Sequence, residues 1–147
     1  MRLEPLYRLR FTYPDSWSVV LEGELGTESQ NFFLAEGRSE GRISGRFRAS
    51  NAPRRRPDLT YVPAFHGVIE TDDGATVYLE YRGYGRAYPE GRRQWLVACI
   101  HLSDAEGYRW LNDAICVGTG EVRAQPDGGP SQLVLDVAEL VWEPILE

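Results

Sequence analysis

Alternation of apolar and polar side chains with a period of two constrains this chain more than any other feature. In Leu6-Tyr7-Arg8-Leu9-Arg10-Phe11-Thr12-Tyr13 the odd positions are apolar, and Arg8, Arg10 and Thr12 between them are polar. Successive side chains of a strand point to opposite faces of a sheet, so this segment is a half-buried strand. The pattern returns over residues 42–48, where Ile43 and Phe47 face one way and four polar positions the other. Residues 17–21, 31–35, 61–70, 76–82, 95–102, 115–123 and 133–142 read as further strands. Asp72-Asp73-Gly74 and Pro126-Asp127-Gly128-Gly129-Pro130 are explicit turns, since Gly supplies the positive φ that a tight hairpin needs. The one helical piece is residues 103–112, where Ser103 and Glu106 have the spacing of a capping box.

About nine strands roughly a dozen residues apart, with one short helix, predict an all-β domain. The connections are too short for crossovers, so the order is antiparallel. Closure removes exposed edges, which favours one barrel of about eight to ten strands over a sandwich. Gly45, Gly67, Gly118 and Gly120 fit the bends of a small barrel. At 147 residues the chain is expected to be a single domain, 1–147, able to bury roughly 68–70 % of its unfolded surface without a staple.

Composition narrows the function. A net charge of −6 argues against a dedicated nucleic-acid binder. No run approaches a membrane span, and the arginine-containing start does not read as a secretion signal. All 16 basic residues are Arg, so Schiff-base chemistry by lysine is excluded. Cys99 and Cys116 lie 17 apart in apolar runs without a CxxC spacing. They read as buried free thiols in a reducing cytoplasm.

Several segments together resemble a known family. These are residues 41–48, Ile69-Glu70-Thr71-Asp72-Asp73-Gly74-Ala75, Val77-Tyr78 and Arg82-Gly83, then Tyr108-Arg109-Trp110-Leu111-Asn112, 118–123 and 137–141. They resemble the uncharacterised bacterial family named domain of unknown function 3237, across nearly the whole chain. The resemblance implies an antiparallel barrel similar to those of allene oxide cyclases and dirigent proteins, and it implies no assigned activity. Where many members carry a Gly-Ala-Asp-Trp-like stretch, this chain has Asn51-Ala52-Pro53-Arg54-Arg55-Arg56, so no role of that stretch transfers.

The residues suggest candidate chemistry. Thr76, Tyr78, Glu80 and Arg82 share one strand face. Turned inward, they would build an acid/base pocket with Glu80 as base and Tyr78 as donor to an oxyanion. Turned outward, they are solvated charges. His101 lies on a strand apolar on both faces, which makes it the leading catalytic candidate near neutral pH. Arg82, His66, Trp95 and Trp110 are the expected substrate contacts. Two histidines 35 apart, with no HxH or HxxxH spacing, do not make a metal site, and no cofactor is expected. Cys99 and His101 share a face but stand roughly 6–7 Å apart along a strand, too far for a nucleophile and its base. The Arg54-Arg55-Arg56 run reads as a solvated loop.

The resulting expectation is a cytoplasmic small-molecule-binding barrel of cyclase/isomerase type, acting on a hydrophobic carbonyl or phenolic metabolite. A non-catalytic carrier of an apolar metabolite and an oligomerising protein-interaction barrel are the alternatives. Its expected partner is a small apolar molecule, with neither nucleic acid nor membrane, and a homodimer is the default assembly.

Overall fold

The alternating segments pair into ten strands in a computed structural model that describes residues 1–87 and 93–147. They are β1 (Arg2–Gly23), β2 (Gly26–Gly41), β3 (Gly45–Asn51), β4 (Arg54–Arg55) and β5 (Tyr61–Val62). After them come β6 (Phe65–Thr71), β7 (Thr76–Ala87), β8 (Arg93–Leu102), β9 (Cys116–Arg123) and β10 (Gln132–Val141). All pairings are antiparallel, in the order β4-β5-β7-β6-β3-β2-β1-β10-β9-β8. Because β7 also pairs with β8, eight of the strands close into a ring. The short strands β4 and β5 form a flap on β7, joined where Tyr61 meets Gly85. The chain is an antiparallel β-barrel.

The inward faces carry the core. Leu9, Ile43, Phe47, Ile69, Val77, Leu79 and Leu135 are fully buried. Phe11 packs against Phe47 and Phe65 with ring centroids 5.2 and 5.6 Å apart, so an aromatic layer fills the middle of the barrel. Outward side chains of β1, β2, β3, β6 and β10 pair charge with charge: Arg8 with Asp136, Arg46 with Glu36 and Arg48 with Glu70. A wall carrying those pairs faces water.

β1 merges two segments that the alternation separates. Thr12 pairs with Glu36 and Asp15 with Leu34, so Tyr13 and Pro14 together oppose Ala35 in a bulge. A bulge also tolerates a proline, which has no N–H to give the ladder. The extra residue reverses the faces. Before it, Tyr7, Leu9 and Phe11 point inward; after it, Trp17, Val19 and Leu21 are exposed. Pairing to β10 ends at Phe11 and pairing to β3 ends at Phe33, so residues 17–32 project as a two-stranded arm.

One end of the barrel is closed by a 3-10 helix, Glu106–Asp113, whose Leu111 is fully buried. The expected capping box does not form. Ala105 is the N-cap and has no side-chain cap bond, while the Ser103 hydroxyl donates to the Thr76 carbonyl at 2.8 Å. The connection is held by Asn112 instead: its amide donates to the Ser103 carbonyl at 3.0 Å, and its carbonyl oxygen accepts from the Ser103 N–H at 2.8 Å. Beside it the β6–β7 hairpin turns at Gly74, with φ of +90°, and Tyr108 donates its hydroxyl to Asp73. At Gly45 an added Cβ would lie 2.1 Å from the Glu70 carbonyl oxygen, so only glycine lets β3 approach β6 there.

Candidate functional site

The opposite end of the barrel is open. A cavity of about 1070 Å³ occupies this mouth, with Tyr13, Phe33, Tyr61 and Trp95 as its aromatic wall and Asn51 and Arg93 among its polar groups. Trp95 lies against Phe11 and Phe65, at 5.9 and 6.3 Å, so the aromatic layer below forms the floor. Tyr13, the first residue of the bulge, is the last inward residue of this stretch of β1; its ring packs 4.8 Å from Phe33. The Tyr13 hydroxyl accepts a bond from the Asn51 amide at 3.0 Å, and among the described residues its own hydrogen has no acceptor. Burial pushes the Tyr13 phenol up to about 12, so at neutral pH it is a proton donor. Arg93 lies over the Tyr61 ring at 4.7 Å and makes no ion pair among the described residues. Arg123, by contrast, donates to Glu121 at 2.5 Å. The mouth therefore combines flat apolar walls, the Tyr13 phenolic hydrogen and the guanidinium of Arg93.

His101 lies deeper. Its Nε2 is 2.7 Å from the Tyr7 hydroxyl, which is 2.6 Å from the Tyr81 hydroxyl. The imidazole is 5 % exposed, and its Nδ1 has no hydrogen-bond partner among the described residues. Burial lowers its pKa to about 4, so the ring is neutral at pH 7, and burial likewise drives both tyrosines well above their ordinary value. Tyr81 stacks on Phe65, 5.6 Å away. Phe65 and Tyr81 thus separate Trp95 in the mouth from the His101 chain.

The face holding Tyr78, Glu80 and Arg82 points out of the barrel, and Val77, Leu79 and Tyr81 point in. Turning Glu80 and Arg82 into the packed layer would desolvate two charges, whereas Tyr81 brings an aromatic ring with a partnered hydroxyl. His66 joins the outer group: its Nδ1 is 2.9 Å from the Tyr78 hydroxyl, which donates to Glu80 at 2.8 Å. Beside them the flap and the outer wall of β7–β9 bound a groove of about 820 Å³ that includes His66 and Arg82. Trp110 is at the closed end, with the Arg42 guanidinium 4.4 Å over its ring. Cys99 and Cys116 pair directly across β8 and β9 as buried free thiols. Burial pushes Cys116 to about 11 and Cys99 higher still, so neither is a thiolate at neutral pH.

The seven residues singled out from the sequence thus divide among four places: Trp95 in the mouth, His101 in the interior, His66, Tyr78, Glu80 and Arg82 outside, and Trp110 at the closed end. Sequence reasoning missed Tyr13, Asn51, Tyr61 and Arg93 as a group. Tyr13 was visible as the last apolar position of an alternating strand, but no spacing links residues 13, 51, 61 and 93.

No family model matches the chain, and no curated protein matches it in sequence. Solved structures do resemble it. A β-barrel-like protein from Acinetobacter baumannii is 18 % identical, with a TM-score of 0.76 over 94 % of each chain. A conserved protein of unknown function from Rhodopseudomonas palustris is 20 % identical, with a TM-score of 0.72 over 96 % of this chain and 99 % of that one. A protein from Penicillium herquei described as an enzyme is 20 % identical, with a TM-score of 0.61 over 92 % and 93 %. At these identities the likeness shows the fold alone. Among the described residues no helix is long and apolar enough to cross a membrane.

Proposed function

We propose that this barrel binds a small, flat, partly apolar molecule in its mouth, and that the ligand carries a carbonyl, phenolic or carboxylate oxygen. The observation that carries this reading is the joint presence in one cavity of Trp95, the Tyr13 hydroxyl and Arg93, whose hydrogen and charge have no partner among the described residues. Pockets of this kind use apolar walls for affinity and a few polar groups for orientation.

Within that reading, cyclase/isomerase chemistry on a hydrophobic carbonyl or phenolic metabolite fits best. The walls would hold a flexible substrate in one conformer, and Tyr13 would donate to an oxygen on which charge develops. The likeness to a fungal protein called an enzyme supports catalysis over simple carriage. This proposal assigns the polar roles to Tyr13, Asn51 and Arg93 rather than to His101, Glu80 and Tyr78. We also assign the chain to the bacterial family of domain of unknown function 3237; the fold of its uncharacterised bacterial neighbours supports this. A cytoplasmic location is supported by two thiols that face each other unbridged.

The test is calorimetric titration with 2-naphthoate, an aromatic carboxylate. One site is expected, weakened about tenfold or more, which is ~1.4 kcal/mol, by Arg93→Ala and by Trp95→Ala. Glu80→Gln on the outer wall should leave the affinity unchanged. Wild-type affinity in both mouth variants would sink the proposal.

A further inference from the structure

Two surfaces outside the mouth cavity lack the charge pairing found elsewhere on the barrel wall. The first is the outer face of the arm of residues 17–32. Opposite residues of an antiparallel pair share a face, so Trp17 and Phe32, Val19 and Leu21 lie together on one side. Trp17 is 54 % and Leu21 68 % exposed. Near the tip, Glu28 lies opposite Leu21 on the face of the stripe and Glu24 sits in the turn; neither makes an ion pair among the described residues. A two-stranded ribbon with both edges free is marginal in water without packing against something else.

The second surface is the outer wall of β8 and the groove beside it. Leu96, Ala98, Ile100 and Leu102 all point outward in succession, and Leu102 is 60 % exposed. The groove holds Pro63, Tyr84, Leu96 and Ala98 together with Arg54 and Arg82, neither of which makes an ion pair among the described residues. An apolar stripe bordered by carboxylates and an apolar groove bordered by guanidiniums, none of them ion-paired among the described residues, are complementary in both hydrophobicity and sign.

We propose that the arm of one copy of this chain docks in the outer groove of a second copy, making the protein a homo-oligomer held by arm-to-groove contacts. The apolar stripe covers the β8 wall, and the glutamates near the tip approach Arg54 and Arg82 of the receiving copy. A stable interface buries about 1,200–2,000 Å² in total, and the stripe of the arm together with the long outer wall of β8 offers apolar surface on both partners. The carboxylates also disfavour the rival occupant, a lipid surface, because anionic headgroups repel them.

The test measures mass by light scattering on wild type and two full-length variants, with circular dichroism to verify folding. Wild type is expected to be oligomeric. Both the arm variant Trp17→Ser/Val19→Ser/Leu21→Ser and the groove variant Arg54→Glu/Arg82→Glu/Leu96→Ser are expected to be monomeric. Mixing them should restore a one-to-one complex, since each keeps the surface the other lacks. Should a serine variant fail to fold, charge exchange decides: Glu24→Arg/Glu28→Arg breaks the oligomer, and adding Arg54→Glu/Arg82→Glu to the same chain rebuilds it. A monomeric wild type overturns the proposal. So does a groove variant that keeps the wild-type mass, which would mean arm packing on arm, or a wild type that floats with phosphatidylcholine vesicles through its arm.

Discussion

His101 illustrates how burial converts one side chain into a pH-dependent stability element. Its folded pKa of about 4 lies below the ordinary 6.5, so the unfolded chain binds the proton first as pH falls. Its contribution is complete above about pH 6.5 and is lost progressively down to about pH 4, a difference on the order of 3 kcal/mol. Urea denaturation across that window should show stability falling with acid in wild type and a flatter slope in His101→Gln. Tyr7 stands in the middle of the same chain, bonded to both Tyr81 and His101. Tyr7→Phe leaves two buried polar groups short of a partner and should cost about 1–3 kcal/mol in chemical denaturation, whereas Tyr78→Phe on the outer wall should change stability by less than about 0.5.

At the scale of elements, the Asp72-Asp73-Gly74 turn and the segment Tyr108 to Asn112 build the closed end, while Glu121, Val122 and Arg123 of β9 reach the mouth. The Asp72-Asp73-Gly74 hairpin, Tyr108 and Asn112 hold the 3-10 helix over the barrel floor. Asn112→Ala should therefore lower stability by about 1–3 kcal/mol and leave 2-naphthoate affinity unchanged, because the groups it strands lie at the far end from Trp95. Gly45→Ala should destabilise by about 1–3 kcal/mol or more, since the new methyl meets backbone rather than a movable side chain; thermal melting measures it. The bulge at Tyr13 and Pro14 was not legible as such. Alternation resumes after it in the same odd positions, and only the pairing with Ala35 reveals that those positions have changed sides.

For the whole molecule, closure depends on the most distant pairing, β1 with β10, where Tyr7 meets Val137. Contacts so far apart in the chain must form against loop-closure entropy, so refolding is expected on the millisecond-to-second scale rather than in microseconds; stopped-flow fluorescence measures it. Closure also creates the division of labour between the ends. The aromatic layer of Phe11, Phe47 and Phe65 fills the middle and forms the floor of the hollow mouth.

The chain's own alternation determined the strands, the two turns and the antiparallel barrel, because strand periodicity and turn chemistry are local. It also isolated Trp95 and His101 as enclosed side chains. Which face of β7 looks inward, which end stays open and which rings meet at the mouth were decided by the tertiary structure. Tyr13, Asn51, Tyr61 and Arg93 converge only because ring closure and strand register bring four separate elements to one rim. Glu80 and Arg82 are turned outward for a collective reason as well: the interior was already filled by rings, and no partner there could offset the desolvation of their charge.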